Sequence, residues 1–305
     1  MTTEHIIHRT PIFSDDWWSA LENFAEPKLF KDSFNPADFM FNDENFLDFL
    51  RCRASVDQHQ LPEHDNFLRV FVDGGFRYKE KAEILKHPPE NGEKLKHYCD
   101  RIFDGKEYMI LANSVEQFLP NLHKKLIALN IYDRVLPKLQ LKTEQSLHIN
   151  CTIFMGNYSM TPLGIHRDDD FLRGGIHFHL GPGPKVMHLW PTEVYIKNTG
   201  SAFRSFELSH RLLATPEHKC FTLEAGDSFY LPQNIYASGP YHVGCPQGFS
   251  MAMTLGFFYE NAQETLQHAL LNLVSDRPEF DQLKNEAMCL YLEMLREHQG
   301  FSSVM

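Results

Sequence analysis

The sequence predicts a mainly β protein with flanking helices, and two observations carry that expectation. From His148 onward apolar residues recur at every second position, the period of a strand with one buried face. Short runs of this kind, separated by Gly and Pro turns, continue as far as Phe257, a pattern that belongs to a β-sandwich or barrel. On both sides of this stretch the spacing is helical. At 305 residues, with 43% hydrophobic and 23% charged, the chain can bury a real core, which excludes collagen-like, disordered and disulfide-miniprotein classes.

From Asp15 to about Leu50 the pattern is helical in pieces, broken by Pro27 and Pro36 and dense in aromatics whose simplest role is packing. Phe67–Val72 and Glu107–Ala112 read as strands, ended by Asp73-Gly74-Gly75 and by Asn113-Ser114. Between them lies a polar stretch with a Pro-Pro-Glu-Asn-Gly turn, and Val115 to Leu136 has helical spacing. Ile149, Cys151, Ile153 and Met155 then alternate with Asn150, Thr152 and Phe154. Further strands are expected at Ile176–Leu180, Lys185–Trp190, Val194–Lys197, Lys219–Leu223, Ser228–Leu231 and Ser250–Phe257. Ala262 to Gln299 returns to helical spacing, split by Pro278 and stopped by Gly300. The organisation is thus an N-terminal helical or mixed region (1–106), a β core (107–260) and a C-terminal helical region (261–305). The apolar stripe of the last region suits a homodimer formed through the C-terminal helices.

The chain carries 40 acidic and 29 basic side chains, so no general binding to nucleic acid or anionic lipid is expected. A cationic, neutral or peptide partner fits better. Asp168-Asp169-Asp170 and Glu207 would favour a basic group such as an arginine or lysine side chain, although Asp169 and Asp170 also suit a turn in water. The six cysteines are scattered without a CxxC pair, so neither a zinc knuckle nor a disulfide framework is indicated. With no apolar segment near the N-terminus and no run long enough to span a membrane, a cytoplasmic protein is expected.

Histidine is abundant, at 17 residues, and one pair of segments gives some of it a chemical reading. His166 and Asp168 stand two apart in an extended stretch, so an imidazole and a carboxylate project to the same side. Further on, Gly226-Asp227 turns into a strand closed by Pro232, and the chain returns through Tyr241-His242-Val243. His242 can then complete a set of two histidines and one carboxylate. Such a set holds Fe(II) on one face and leaves positions open, as in non-haem iron oxygenases. His210 and His218 fall in a connection and rank behind His242. His177 and His179 share one face of a strand and suit either a pocket wall or a structural role, whereas His188 and Trp190 suit the core.

Three stretches also carry a family resemblance: Gly156 to Asp168 (GNYSMTPLGIHRD), Gly183 to Pro191 (GPKVMHLWP), and Gly226 to Pro232 with His242-Val243. Together they resemble the JmjC-type cupin oxygenases, in particular the bacterial peptide-hydroxylase-like branch, over roughly residues 107–257. The resemblance implies a double-stranded β-helix, or jelly roll, that uses Fe(II), 2-oxoglutarate and O2 to hydroxylate a C–H bond of a peptide, protein or small-molecule substrate. It implies iron ligation by His166, Asp168 and His242. Lys185 matches the basic residue that pairs with the far carboxylate of 2-oxoglutarate, and Tyr158, Thr161 and Thr152 match places where hydroxyls bond that group. His179 is a further candidate for the cosubstrate pocket. The interval from Pro232 to His242 is longer than is usual in the family. Two other readings remain: a metal-dependent cupin dioxygenase or isomerase that needs no 2-oxoglutarate, and a non-catalytic cupin that binds a ligand.

Overall fold

The computed structural model describes residues 6–21, 26–56, 67–135, 145–168, 172–233 and 240–261. In chain order the elements are β1 (Ile6–His8), α1 (Asp15–Ala20), β2 (Lys28–Lys31), α2 (Asp43–Val56), β3 (Leu68–Val72), β4 (Gly75–Phe76), α3 (Tyr78–Lys86), α4 (Leu95–Phe103), β5 (Tyr108–Ala112), α5 (Pro120–Ala128) and α6 (Ile131–Val135). These are followed by β6 (Gln145–Gly156), β7 (Leu172–Pro182), β8 (Lys185–Trp190), α7 (Thr192–Thr199), α8 (His210–Leu213), β9 (Lys219–Leu223), β10 (Ser228–Pro232), β11 (Tyr241–Pro246) and β12 (Ser250–Asn261). Met1–Gln140 and Leu147–Tyr259 form one compact unit. A second unit comprises Leu141–Ser146 and Glu260–Met305, of which only the outer ends of β6 and β12 are described.

The protein is mainly β with several helices. Nine strands form one sheet in the order β1-β2-β10-β7-β12-β6-β5-β3-β4, and three form another in the order β11-β8-β9. Alternation along β8 sends Lys185, Met187 and Leu189 to one side. Met187 and Leu189 join Leu29, Phe221, Leu223, Phe229 and Leu231 in a core cluster drawn from both sheets, so this core lies between them. The other side of the small sheet carries Trp190, packed with Ile165, Tyr195, Leu212, Tyr241 and Val243. His188 lies there too, its Nδ1 2.9 Å from Nε2 of His218.

Two segments depart from the sequence expectation. Val194–Lys197 lies inside helix α7, which begins after Pro191 and ends at Gly200, whose N–H donates to Ile196 O. The β-prone run Val-Tyr-Ile is overridden because a helix opened by Pro and closed by Gly buries Tyr195 against the Trp190 face. Within the region expected to be helical in pieces, Lys28–Lys31 is a strand, parallel to β1 and antiparallel to β10. Leu29 and Phe30 explain it, since each is buried on its own face of that strand: Leu29 in the core between the sheets, Phe30 against Trp17 with ring centroids 5.3 Å apart. The polar stretch before β5 forms α3 and α4.

The other expected strands coincide, to within one residue at their ends, with all or part of β3, β5, β6, β7, β8, β9, β10 and β12. Asp169, Asp170 and residues 262–305, on which the expected C-terminal helices and homodimer fall, lie outside the described residues. Among the described residues no helix is long and apolar enough to cross a membrane, and five cysteines are free.

Candidate metal centre

His166 and His242 face each other as an isolated antiparallel bridge. The N–H of His166 donates to His242 O at 3.1 Å, and that of His242 to His166 O at 2.8 Å. Directly opposed strand positions bring side chains together, and the two imidazole centroids are 4.6 Å apart. The chain reaches this bridge through a tight turn in which Gly164 N–H donates to Thr161 O at 2.8 Å. Gly164 has φ +75°, and a Cβ there would stand 2.6 Å from Ser205 O, so only glycine fits.

Backbone carbonyls fix both imidazoles. Nδ1 of His166 is 2.8 Å from Gly164 O, and Nδ1 of His242 is 3.2 Å from Pro240 O. A carbonyl oxygen has no proton to offer, so Nδ1 donates in each case, and in the neutral ring Nε2 keeps the lone pair. Both Nε2 atoms face Asp168, at 3.5 Å from Oδ1 and 3.7 Å from Oδ2 respectively. Burial would raise the Asp168 carboxyl, but at acid pH, where the rings take up protons, the pull of His242 and His166 outweighs it and holds the group well below the usual carboxylate range. Burial pushes His242 down to about 4, so it is neutral near pH 7. Gln233 donates its amide N–H to Asp168 Oδ2 at 2.9 Å.

The ligand atoms of these three residues lie within 4.8 Å of one another. Electron-pair donors crowded together without a proton between them repel, and a cation among them removes the repulsion. The group could hold a metal ion, and its nitrogen and oxygen donors suit a divalent first-row metal.

A cavity of about 220 Å³ opens beside this group, between the two sheets. Lys185, buried at 4% exposure, lines it. Its ammonium lies 5.3 Å over the Phe154 ring, and among the described residues no carboxylate pairs with it. Burial lowers its pKa to about 8, so it stays charged at neutral pH. Gly244 makes room for the stem, because a Cβ there would overlap Lys185 Cε and stand 3.1 Å from Nζ.

Of the other residues singled out from sequence, Thr152 and Thr161 line the cavity. Thr161 Oγ1 donates to Gly244 O at 2.9 Å, and Thr152 Oγ1 donates within a cluster with Asn113 and Asn150. Tyr158 is packed instead with Phe71, Met109 and Leu111. His179 is fully buried outside the lining, its Nε2 2.7 Å from Gly183 O. His177 does reach the cavity, with Nδ1 2.7 Å from Thr254 Oγ1, and burial, aided by Lys185, lowers it to about 3. Arg69 and Thr254, which line the cavity, and Gln233, which donates to Asp168, belong to no motif visible in the sequence. Arg69 left one signal: a charge in the middle of the apolar run Phe67–Val72.

Fold and site define a mainly β protein with a His-Asp-His group able to hold a metal ion. No protein-family model matches the chain, and no curated protein matches it. Among solved structures it is similar to the X-ray structure of E. coli ycfD, at 15% identity and a TM-score of 0.41, over 83% of this chain and 54% of that one. The chain spans about half the length of that structure, and a likeness of this depth speaks to neither activity nor substrate.

Proposed function

We propose that this chain is an Fe(II)- and 2-oxoglutarate-dependent oxygenase of the JmjC type that hydroxylates a C–H bond. The observation that carries the reading is Lys185: a buried ammonium with no carboxylate partner among the described residues, in the same cavity as His166, Asp168 and His242. An uncompensated buried charge is costly, so an anionic ligand is expected to complete it. A metal-dependent cupin that uses no 2-oxoglutarate needs no such cation. The strand connections support a jelly roll, since the chain crosses between the sheets from β7 to β8, from β9 to β10, from β10 to β11 and from β11 to β12. β6, β7, β10 and β12 belong to the large one, and β8, β9 and β11 to the small one, with His166 bridged to β11.

In this reading His166, Asp168 and His242 hold the iron. Bound iron and 2-oxoglutarate supply the oxidation, in which O2 is consumed, 2-oxoglutarate leaves as succinate and carbon dioxide, and C–H becomes C–OH. Gly164 and Pro240 carbonyls accept from Nδ1 of His166 and His242 and so turn each Nε2 inward, and Gln233 orients the carboxylate. Lys185 receives the far carboxylate of the cosubstrate, in a cavity that Thr152 and Thr161 also line. Phe154, Met187 and Leu231 line the cavity and exclude water. No side chain needs to act as a general acid or base.

The test is binding of 2-oxoglutarate to the Mn(II)-loaded protein, with succinate release once Fe(II) and O2 are supplied. Both are expected in the wild type and lost in Asp168→Ala. A metal-loaded wild type that neither binds 2-oxoglutarate nor turns it over, even uncoupled, overturns the reading.

A further inference from the structure

The cavity carries a second cation. Arg69 on β3 lines it together with Lys185 and Asp168, and these three are its charged side chains among the described residues. Two cations against one carboxylate give the lining a positive sign, inside a chain whose net charge is −11. Several basic residues outside the cavity find acidic partners: Arg51 pairs with Glu44 and Asp48, Arg101 with Glu93, Arg134 with Asp15, and Lys31 with Asp227. Arg69 has no such partner among the described residues.

We propose that Arg69 binds a carboxylate of the substrate, so that this enzyme acts on a small acid or an acidic side chain rather than on a basic one. The inference rests on the iron and 2-oxoglutarate reading for its charge balance. A divalent ion at the His-Asp-His group brings the lining to three positive charges, and the dianionic cosubstrate leaves one uncompensated. Arg69 is the group left over. By register Arg69 stands opposite Leu111, and Leu111 opposite Phe154, so it sits two strands away from Phe154, the ring under Lys185. At about 4.8 Å per strand this is about 10 Å of sheet, enough for two separate anion positions. A planar guanidinium matches a carboxylate with two parallel hydrogen bonds. Leu111, Leu163 and Phe154 supply apolar surface for the methylenes of the substrate beside it. An arginine or lysine side chain entering here would meet repulsion.

The experiment measures binding of four probes by calorimetry to the protein loaded with Mn(II) and 2-oxoglutarate. They are N-acetylglutamate α-amide, N-acetylnorleucine, N-acetylnorleucine amide and N-acetylarginine amide. The first carries a side-chain carboxylate and the second only an α-carboxylate, so the pair distinguishes the two sources. At least one is expected to bind about tenfold or more tighter than norleucine amide. That gain is expected to vanish in Arg69→Ala and Arg69→Gln and to persist in part in Arg69→Lys, with 2-oxoglutarate affinity unchanged in all three. Equal binding of all probes, preference for the arginine amide, or a gain that survives Arg69→Ala overturns the proposal. So does loss of 2-oxoglutarate binding in Arg69→Ala, which would assign Arg69 to the cosubstrate. If the wild type binds no 2-oxoglutarate, the oxygenase reading fails by itself, and the same probes with Mn(II) alone still decide whether Arg69 binds carboxylates.

Discussion

A lysine without a counter-charge in the interior gives up its proton more readily than one in water, and Lys185 titrates near 8 for that reason. Below that pH the free site is charged and attracts an anion; above it the site must first take up a proton. The affinity of the metal-loaded protein for 2-oxoglutarate is therefore expected to fall about tenfold per pH unit above about 8. Calorimetry between pH 7 and 9.5 checks this, and Lys185→Met should bind weakly with no such slope. Glu116 works in the opposite sense. It is buried at 7% exposure, accepts from Cys151 N–H at 3.1 Å, and burial pushes it up to about 7. The folded state thus holds a proton that the unfolded chain releases near its ordinary value. Stability falls as pH rises through that window and stays lower above about 7, by on the order of 3 kcal/mol. Urea melts at pH 5 and pH 8 should show this loss in the wild type and little of it in Glu116→Gln, which keeps the accepting oxygen. Neither effect could be read from sequence, where Glu116 is one acidic residue in a helical span. His166 and Asp168 were legible because a spacing of two fixes their common side, whereas Arg69 needed β3 laid beside β5 and β6 before its face was known.

At the scale of elements, the strands were the legible part, because alternation is a local property and Gly or Pro marks each end. What escaped was set by contacts distant in sequence. Helix α7 hides in a β-prone run, and β2 is a strand because β10 offers it an edge. The strand that carries His242 also shapes the lysine's place: Gly244, two residues on, is where the Lys185 stem passes. A methyl group there meets the far end of a flexible side chain, so Gly244→Ala is expected to fold with a melting temperature near that of the wild type. The ammonium, however, must move, and 2-oxoglutarate affinity should drop about tenfold or more while Mn(II) affinity holds. Gly164→Ala is the contrasting case. It clashes with the Ser205 backbone and disturbs the carbonyl that orients His166, so Mn(II) affinity itself should fall. Equal losses of both ligands in the two variants would show that these turns act on general stability and not on separate positions.

For the whole molecule, the composition already required a sizeable core, but the way the N-terminal segment contributes to it lay beyond a linear reading. β1 and β2 continue the large sheet past β10, Leu29 enters the core between the sheets, and Phe30 and Trp17 cover the opposite face. The join is also electrostatic. Asp227, 1% exposed in the turn before β10, accepts from Lys31 Nζ at 2.6 Å, from Asp32 N–H at 3.0 Å and from Glu224 N–H at 2.7 Å. A chain starting at residue 33 loses two of these three donors, uncovers β10 as an edge and strips apolar cover from the sheet. Breaking a buried ion pair by removing one partner costs about 3–5 kcal/mol, and loss of buried Trp17 and Phe30 adds about 3–5 kcal/mol for each ring. Together these match or exceed the stability of an ordinary domain, about 5–15 kcal/mol. The truncated chain is expected to show no cooperative melting transition, whereas Lys31→Met in the full chain should melt cooperatively at a lower temperature. A truncated protein that still melts in one transition and binds Mn(II) as tightly as the full chain would mean that the β core stands without its N-terminal strands.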